Sequence, residues 1–420
     1  MIEIKKTTSL SPASCRVIDA RVVLENGAVY MVKTDENGRT WTSLIERDYE
    51  FYRMMTAERI NRQVESSIIF FYASDRCNLG CAVCYEAGQT HRELTLSEME
   101  TLTGRIKNKS IVLMGKEPTC RRDIFNLIRA AKRKNRPILT TNGIKLADYD
   151  YVVALKKAGL SIISLTFNGF EDRIYERLND RPLLDLKMKA LENIRKVGIR
   201  TTLSISLVRG VNDDQIKRMV DYCLDNRSFV YQLRIRTAQQ IGNCPDVEPY
   251  TMSEMIDLFA GALNISREDI LKEHIFWQEL LKLMGPFAPA KVRAIVRTRL
   301  CAYSVTVIRD KNGYSCLGGR LDIDRLRTEY KNRWRHIYTF YKTVGPRYII
   351  DYICAVMGVT AGTGDSRRIM VGFRCWPNIY NIDLEENLKC PSQYYKHGKF
   401  MPFCYSNIIE ARVGSGREFC

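Results

Sequence analysis

The feature that most constrains the fold is a regular alternation of apolar runs and amphipathic segments between residues 67 and 236. Strands that alternate with helices in this way form a parallel sheet covered by the helices, as in α/β proteins. Six such units predict a partial (β/α)6 barrel. The expected strands are 67–72, 110–114, 137–141, 161–167, 200–207 and 229–236, and the expected helices lie at about 95–107, 121–135, 148–158, 185–197 and 212–226.

Length and composition divide the chain into three expected parts. A chain of 420 residues is long for one domain, and 45% hydrophobic with 27% charged residues is typical of a globular protein. We expect a small β module at 1–62, the barrel at 63–244 and a C-terminal α+β domain at 245–420. Lys and Arg exceed Asp and Glu by 65 − 48 = 17, which favours acidic partners such as phosphates, anionic lipid surfaces, nucleic acid or an acidic electron donor.

The sequence also bears on the compartment. No run of about 18 apolar residues occurs, and residues 1–10 lack the apolar segment of a signal peptide. We therefore expect a cytoplasmic protein. In a reducing compartment its 14 cysteines favour metal binding over disulfides.

Three cysteines follow the first predicted strand, in the stretch Cys77-Asn-Leu-Gly-Cys81-Ala-Val-Cys84. Soft thiolates favour iron–sulfur clusters and zinc, and a cluster held by three thiolates leaves one iron open to a substrate. A zinc knuckle or buried thiols are the alternatives, but zinc sites usually supply four ligands in paired Cys-x2-Cys units. The spacing resembles the signature of the radical S-adenosylmethionine (SAM) superfamily. This resemblance implies a catalytic, SAM-binding [4Fe-4S] cluster on Cys77, Cys81 and Cys84.

The same resemblance implies a SAM pocket at the ends of the following strands. Met114-Gly115-Lys116-Glu117-Pro118 is similar to the Gly-Gly-Glu-Pro motif that receives the amino group of SAM, with Lys116 in place of the second Gly. Glu117 is expected to offer its carboxylate to the ammonium group, and a plain loop is the alternative. The residues expected to bind the cofactor are Tyr85, Gly115, Lys116, Glu117, Asn142, Ser164, Asn168, Ser204 and Ser206.

Polar residues recur at alternate positions of strands four to six. Ser164, Thr166 and Asn168 share one face of strand four, and Ser204 and Ser206 share one face of strand five. We expect them to face the barrel interior, although Ser and Thr also form local hydrogen bonds. Strand six is expected to aim one of its two arginines, Arg234 or Arg236, inward, where it would suit a carboxylate or phosphate.

Seven cysteines lie between Cys301 and Cys420. Two pairs enclose glycine turns, Cys301 with Cys316 and Cys390 with Cys404, so each predicts a β-hairpin that brings its two thiols together. The first hairpin resembles the auxiliary-cluster hairpin of radical SAM enzymes, and the second resembles a C-terminal motif of the tetraether lipid synthase group. The resemblance implies at least one auxiliary [4Fe-4S] cluster, whose ligands are drawn from Cys301, Cys316, Cys375, Cys390 and Cys404. Cys354, inside an apolar run, is expected to be a buried core residue.

Several segments resemble one group in particular, the tetraether lipid synthases and archaeal pterin methylases. They include Ala20-Arg-Val-Val, Gly38-Arg-Thr-Trp, Ser164-Leu-Thr-Phe-Asn-Gly and Pro402-Phe-Cys404. That group carries iron in a rubredoxin-like N-terminal module. Residues 1–62 contain Cys15 alone, so we expect the module without its metal, with short strands at 16–31 and 39–45 joined by a turn at 34–38.

The resemblance implies that the chain is an enzyme that reduces SAM to a 5′-deoxyadenosyl radical, which then attacks an unactivated C–H bond. The group favours C–C bond formation or alkylation on a lipid or small anionic metabolite, with an acidic electron donor such as flavodoxin or ferredoxin. No cobalamin module is evident. The alternatives are a peptide-maturing or RNA-modifying radical SAM enzyme and, from another class, a non-catalytic redox or nucleic-acid-binding iron–sulfur protein, against which the SAM-pocket motifs argue.

A basic, aromatic segment at residues 325–352 bears on the location of the substrate. It predicts either a peripheral contact with an anionic membrane surface or a site for a phosphate-rich substrate. An amphipathic core helix with a solvated basic face is equally consistent with the pattern.

Overall fold

The structure, a computed structural model, describes residues 1–57, 68–87, 90–238, 247–284, 300–320, 367–396 and 398–413. It confirms the α/β class: six parallel strands follow one another in chain order. They are β5 Ile68–Ser74, β6 Ser110–Gly115, β7 Arg136–Thr141, β8 Ile162–Thr166, β9 Arg200–Leu207 and β10 Val230–Thr237. The accompanying helices are α2 Leu96–Arg105, α3 Ile124–Lys132, α4 Tyr149–Lys157, α5 Asp172–Asn179, α6 Leu184–Val197 and α7 Ile216–Asp225.

The N-terminal module is an antiparallel sheet of four strands, β1 Ile2–Leu10, β2 Val17–Glu25, β3 Ala28–Thr34 and β4 Thr40–Glu46, followed by helix α1 Tyr49–Thr56. The turn expected at 34–38 is present. The single strand expected over 16–31 is wrong, because Asn26 and Gly27 both adopt positive φ (49° and 79°) and turn the chain between β2 and β3. Strand β1 was not predicted.

The C-terminal strands join the barrel sheet and do not form a sheet of their own. They are β11 Ala302–Asp310, β12 Gly313–Cys316, β13 Arg368–Arg374, β14 Ser392–Lys396 and β15 Lys399–Pro402. Strand β13 lies parallel beside β10 at one edge, and β14 lies parallel beside β5 at the other. The complete order is β12-β11-β13-β10-β9-β8-β7-β6-β5-β14-β15.

Four C-terminal helices complete the described chain: α8 Met252–Leu263, α9 Arg267–Met284, α10 Leu384–Asn387 and α11 Phe403–Val413. Helices α8 and α9 follow each other closely, and the chain turns between them at Asn264, which has a φ of 51°. The basic segment 325–352 and Cys354 lie outside the described residues. No helix in the described ranges is long and apolar enough to cross a membrane.

The two faces of the barrel sheet differ in character. Its outer face packs buried Leu113, Leu139, Leu165, Leu203 and Leu233 against the helices, and each leucine contributes roughly 2 kcal/mol. Its inner face is apolar along β5 and β6, with Phe70, Tyr72, Val112 and Met114 in one cluster. Along β8 to β10 the inner face is polar. This asymmetry leaves the polar half available for a site.

The N-terminal sheet is fixed to the C-terminal part of the chain. The buried Lys33 ammonium group donates to Ser9 Oγ (3.0 Å), Leu10 O (2.8 Å) and Ile379 O (2.6 Å). Asn381 Nδ2 donates to Leu44 O at 3.0 Å. These contacts make the N-terminal sheet one wall of a cavity whose other walls come from the C-terminal segments.

Candidate functional site

The cysteine loop leaves the C-terminal end of β5, the end at which barrel enzymes carry their chemistry. Helix α5 holds this loop: Ala82 N donates to Leu178 O at 2.9 Å, and Asn179 Nδ2 donates to Cys81 Sγ at 2.9 Å. Within the loop, Leu79 N donates to Cys77 Sγ at 3.4 Å. Two of the three sulfurs thus already accept hydrogen bonds of the kind that stabilise thiolates.

Burial raises the pKa of all three thiols, that of Cys84 to about 12. Without a metal such thiols keep their protons, and bound iron takes the place of those protons. Within the described ranges no three His, Cys, Asp or Glu side chains are close enough to hold a single metal ion. A four-iron cluster places each thiolate on a different iron and so accepts a wider spacing. Three thiols on one short loop agree with such a cluster, in which the fourth iron has no protein ligand.

The strand end at Gly115 lies directly against the start of this loop. Gly115 has a φ of 141°, and a Cβ there would lie 2.3 Å from Ser74 O. Lys116 N donates to the same carbonyl at 2.9 Å, and Lys116 Nζ lies 3.0 Å from Asp75 Oδ1. The expected second glycine is thus replaced by a residue whose side chain pairs with the end of β5.

Glu117 does not present a free carboxylate as expected. Its Oε1 accepts from Thr119 N (3.0 Å), Thr119 Oγ1 (2.5 Å) and Thr141 Oγ1 (2.7 Å), and its Oε2 accepts from Asn142 N at 2.7 Å. The residue is 1% exposed. Glu117 therefore fastens the end of β7 to the β6 loop, and only Oε2, which accepts a single hydrogen bond, retains capacity for a further donor.

Asn142 connects that fastened strand end to the cysteine loop. Its Nδ2 donates to Asn78 Oδ1 at 2.7 Å and lies 3.9 Å from Cys77 Sγ. The Asn142 side chain is thus close enough to contact a ligand bound beside Cys77. Asn168, also expected in the pocket, is buried, and its Oδ1 accepts from Ser206 N at 3.1 Å. Like Glu117, it joins two strand ends through a side-chain oxygen.

The serines on β8 and β9 lie where the alternation predicts. The buried residues Leu165, Leu203 and Leu207 belong to the outer core, which leaves Ser164, Ser204 and Ser206 on the inner face. Ser206 Oγ accepts from Arg236 Nη2 at 3.0 Å. The buried Ser204 Oγ has no hydrogen-bond partner among the described residues.

Tyr85 extends from the cysteine loop toward a second group of cysteines. Its ring meets Trp376 edge-on at a centroid distance of 6.2 Å. Trp376 in turn lines a cavity of about 160 Å³, and so do four of the five cysteines expected to bind an auxiliary cluster: Cys301, Cys375, Cys390 and Cys404. Cys375 N donates to Cys301 O at 3.1 Å, which brings two distant parts of the chain to this cavity.

The fifth cysteine, Cys316, does not belong to this group. The β11–β12 hairpin forms as predicted, but its register places Cys316 opposite Val307 and not opposite Cys301. Six residues of strand separate the two cysteines, or about 20 Å. Cys316 is 1% exposed and lies in the outer core. The expectation that this hairpin joins its two thiols is therefore wrong, whereas the β14–β15 hairpin does bring both of its cysteines to the cavity.

Sequence reasoning missed two residues of the site. Lys187 of α6 is buried and donates to Asn142 O and, at 2.9 Å, to Thr166 O. Burial lowers its pKa to about 8. The signal was present, since Lys187 shares the apolar stripe of α6 with Leu191 and Ile194. Arg374 carried no signal, because the strand that contains it lies far along the chain from β10.

Comparisons with known proteins agree with this geometry. Residues 71–223 match the model of the Radical SAM superfamily. The chain is 28% identical to a 7,8-dihydro-6-hydroxymethylpterin dimethyltransferase of Methanocaldococcus jannaschii over 54% of this chain and 51% of that protein. It is also 28% identical to a probable GTP 3′,8-cyclase of Pyrococcus abyssi over 45% of this chain and 62% of that protein. The chain thus spans about half to three-fifths of the length of these relatives.

Among solved structures, Streptococcus suis SuiB bound to S-adenosylmethionine matches with a TM-score of 0.41 and 21% identity over 46% of each chain. The family to which residues 71–223 belong uses a [4Fe-4S] cluster and SAM. In this chain, residues 71–223 include the three thiols at the end of β5 and the Gly115 and Asn142 strand ends beside them. Residues 71–223, which span most of the parallel strands of the barrel, are therefore identified as a radical SAM domain.

Proposed function

We propose that this enzyme cleaves SAM reductively and functionalises an unactivated C–H bond, with C–C bond formation or alkylation on a lipid or small anionic metabolite. The observation that carries the proposal is the meeting of the Cys77–Cys84 loop with Asn142 at the C-terminal edge of the sheet. The 28% identity with a pterin dimethyltransferase supports an alkyl-group transfer. The net charge of +17 supports an anionic substrate and an acidic electron donor.

The chain's own residues arrange the reactants. When bound, the cluster supplies one electron to the sulfonium of SAM, which yields methionine and a 5′-deoxyadenosyl radical. Asn179 orients Cys81, Glu117 and Lys187 fix the strand ends at Asn142, and the inner-face serines offer hydroxyl groups. The apolar half of the inner face excludes water from the site.

The test replaces each of Cys77, Cys81 and Cys84 by Ala and measures 5′-deoxyadenosine released from SAM under reduction. Each variant should lose this activity, since two thiolates do not hold the cluster in its active form. Cys120→Ala is the matched control, because Cys120 is a half-buried cysteine near Cys77 but outside the motif. Wild-type release by any of the three variants would refute the proposal.

We also propose that the cavity beside Trp376 holds an auxiliary [4Fe-4S] cluster on Cys301, Cys375, Cys390 and Cys404. Four thiols that line one cavity of about 160 Å³ match the usual four-cysteine ligation. Anaerobically reconstituted protein should carry about eight irons. Cys375→Ala should lose about four of them, and Cys316→Ala should lose none. Equal iron contents in these two variants would contradict this ligand set.

A further inference from the structure

Three arginines share the inner face of the barrel sheet on two neighbouring strands. Arg234 and Arg236 lie on β10, and Arg374 ends β13 in register with Arg236. The residues between them, Ile235 and Phe373, belong to the outer core, so the three arginines project to the opposite face. Adjacent strands lie about 5 Å apart and alternate residues about 7 Å apart. Three positive charges therefore meet within one small area.

No carboxylate of the described residues balances these charges. The side chain of Arg234 forms no hydrogen bond or ion pair within the described ranges. The buried Nε atoms of Arg234 and Arg236 have no hydrogen-bond partner there. Arg236 reaches Ser206 Oγ at 3.0 Å, and Arg374 reaches the carbonyls of Phe373 (2.7 Å) and Tyr303 (3.4 Å). Burial lowers the pKa of Arg236 and that of Arg374 to about 10, with the charge of Arg234 adding to both effects.

Neighbouring groups complete the surface around the arginines. Ser204 Oγ, in register with Arg234, is buried and has no partner. Gly372 lies opposite Arg234 on β13, and a Cβ there would come within 3.3 Å of Gln232 Nε2. Arg374 Nη1 and Ser304 Oγ also lie within 4 Å of that position, so polar side chains converge on the Gly372 backbone. Donors that converge in this way form a surface suited to an acceptor-rich anion.

The three arginines lie between the two cysteine sites. Arg236 is 5.8 Å from the Trp376 ring, and that ring contacts Tyr85, which follows Cys84. Arg374 directly precedes Cys375. A ligand held by the three arginines would therefore lie close to the place where SAM is cleaved, which is where a substrate must be.

We propose, on the basis of the proposed function, that Arg234, Arg236 and Arg374 bind a phosphate group of the substrate. One arginine is sufficient for a carboxylate, whereas three guanidinium groups match the charge and the several acceptor oxygens of a phosphate. Retaining unpaired charges inside a protein is costly and is expected where they serve a ligand. The substrate is thus a phosphate ester, either water-soluble or part of a lipid.

Arg234→Met tests the proposal, and Arg200→Met is the matched control. Arg200 is another arginine on an inner-face position with an unpartnered Nε, but it begins β9 at the opposite end of the barrel. Calorimetry on the reconstituted enzyme with SAM uses inorganic phosphate, phenyl phosphate and dihexanoyl phosphatidic acid as probes. Arg234→Met should bind them at least about tenfold more weakly than wild type and the control. Tighter binding of phosphatidic acid than of phenyl phosphate identifies a lipid, and the reverse identifies a soluble ester.

Three further readouts separate this proposal from other roles. Release of 5′-deoxyadenosine without substrate should be unchanged in Arg234→Met, and its loss would assign the arginine to SAM. Iron content should also be unchanged, and its loss would assign the arginine to charge balance at a cluster. The melting temperature of Arg234→Met should be equal to or above that of wild type, because an unpaired charge is removed; a lower value would indicate a structural role. Equal phosphate binding in variant and wild type would overturn the proposal.

The same measurements distinguish failure of this inference from failure of the proposed function. If wild-type enzyme releases no 5′-deoxyadenosine, the SAM chemistry itself is refuted, whatever the phosphate probes show. If the wild type cleaves SAM and binds none of the three phosphates, only the phosphate site is refuted.

Discussion

Gly115 shows how closely a single residue is constrained at this site. Its φ of 141° is open to glycine alone in practice, and a Cβ would lie 2.3 Å from the Ser74 carbonyl oxygen. We expect Gly115→Ala to destabilise the fold by roughly 1–3 kcal/mol and to lower SAM cleavage, because the β6 end must move away from the cysteine loop. Thermal melting and 5′-deoxyadenosine release measure the two effects. Gly104→Ala, in α2 with no atom within 4 Å of its Cβ, is the control.

Glu273 is a residue-scale determinant of stability outside the site. Burial between α9 and β11 raises its pKa from 4.5 to about 7, although Thr306 N, Thr306 Oγ1 and the Trp277 indole donate to it. The uncharged phenol of Tyr303 and the thiol of Cys316 also face it. The folded carboxyl therefore keeps a proton that the unfolded chain releases above pH 4.5. The free energy of unfolding therefore falls by roughly 3 kcal/mol as the pH rises from 4.5 to about 7.

Glu273→Gln should remove this pH dependence. The free energy of unfolding of the variant, relative to that of wild type, should rise by roughly 2–3 kcal/mol from pH 5 to pH 8. Urea denaturation at both pH values measures this difference. Glu192→Gln, on the exposed face of α6, should leave the difference unchanged. Parallel pH profiles for Glu273→Gln and wild type would show that the carboxyl is ionised in the folded protein.

At the scale of elements, helix α5 was not predicted from the sequence, although it holds the cysteine loop of the site. It has only eight residues and three buried apolar side chains, Ile174, Tyr175 and Leu178, too few to show a clear period. Its last residue, Asn179, donates to Cys81 Sγ. Removing this bond with Asn179→Ala should lower the reduction potential of the cluster, because a hydrogen bond to a thiolate sulfur favours the reduced state. An EPR-monitored redox titration measures the shift, and an unchanged potential would contradict the role.

The N-terminal sheet is predicted to bind no mononuclear iron. Cys15 is the only cysteine in residues 1–62, and one thiolate does not hold a mononuclear iron. Mössbauer spectra of the reconstituted enzyme should therefore contain cluster iron and no high-spin site with four sulfur ligands. A rubredoxin-type signal would show that other side chains supply ligands there.

Element prediction succeeded where one period dominated and failed where geometry across strands was needed. The six barrel strands follow from their apolar runs, and β9 matches its predicted bounds, Arg200–Leu207. The β11–β12 hairpin was also predicted, but its register was not, because the turn at Gly313 and the pairing of Val307 with Cys316 decide it. The observed register places Cys316 opposite Val307, six residues along the strand from Cys301. Cys316 is therefore not among the proposed ligands of the auxiliary cluster.

At the scale of the whole molecule, the candidate site combines segments that the sequence identifies singly but does not bring together. Cys301, Cys375, Cys390 and Cys404 were each recognisable, and their meeting in one cavity depends on β13 and β14 joining opposite edges of the sheet. The expectation of an anionic substrate followed from the net charge of +17. The pairing of Arg374 with Arg236 did not, since long-range parallel pairing leaves no local pattern.

The edge strands also predict the result of truncation. A chain that ends at residue 389 lacks β14, β15 and α11, so the hydrogen-bonding groups of β5 are left unpaired along one side of the barrel. We expect this variant to aggregate, since an exposed apolar edge recruits other chains. Size-exclusion chromatography tests this expectation. A monodisperse, soluble truncation product would show that β14 is an accessory strand.

The pairing of β5 with β14 also sets the order in which the protein can be completed on the ribosome. Ile68 pairs with Ser392 and Ile69 with Gln393, so the outer edge of the first barrel strand is covered only after these distant residues have been synthesised. Closing so long a loop slows folding. During that interval the outer edge of β5 is exposed. We expect the thiols of the Cys77–Cys84 loop, which follows β5, to be accessible then to the carrier that delivers iron.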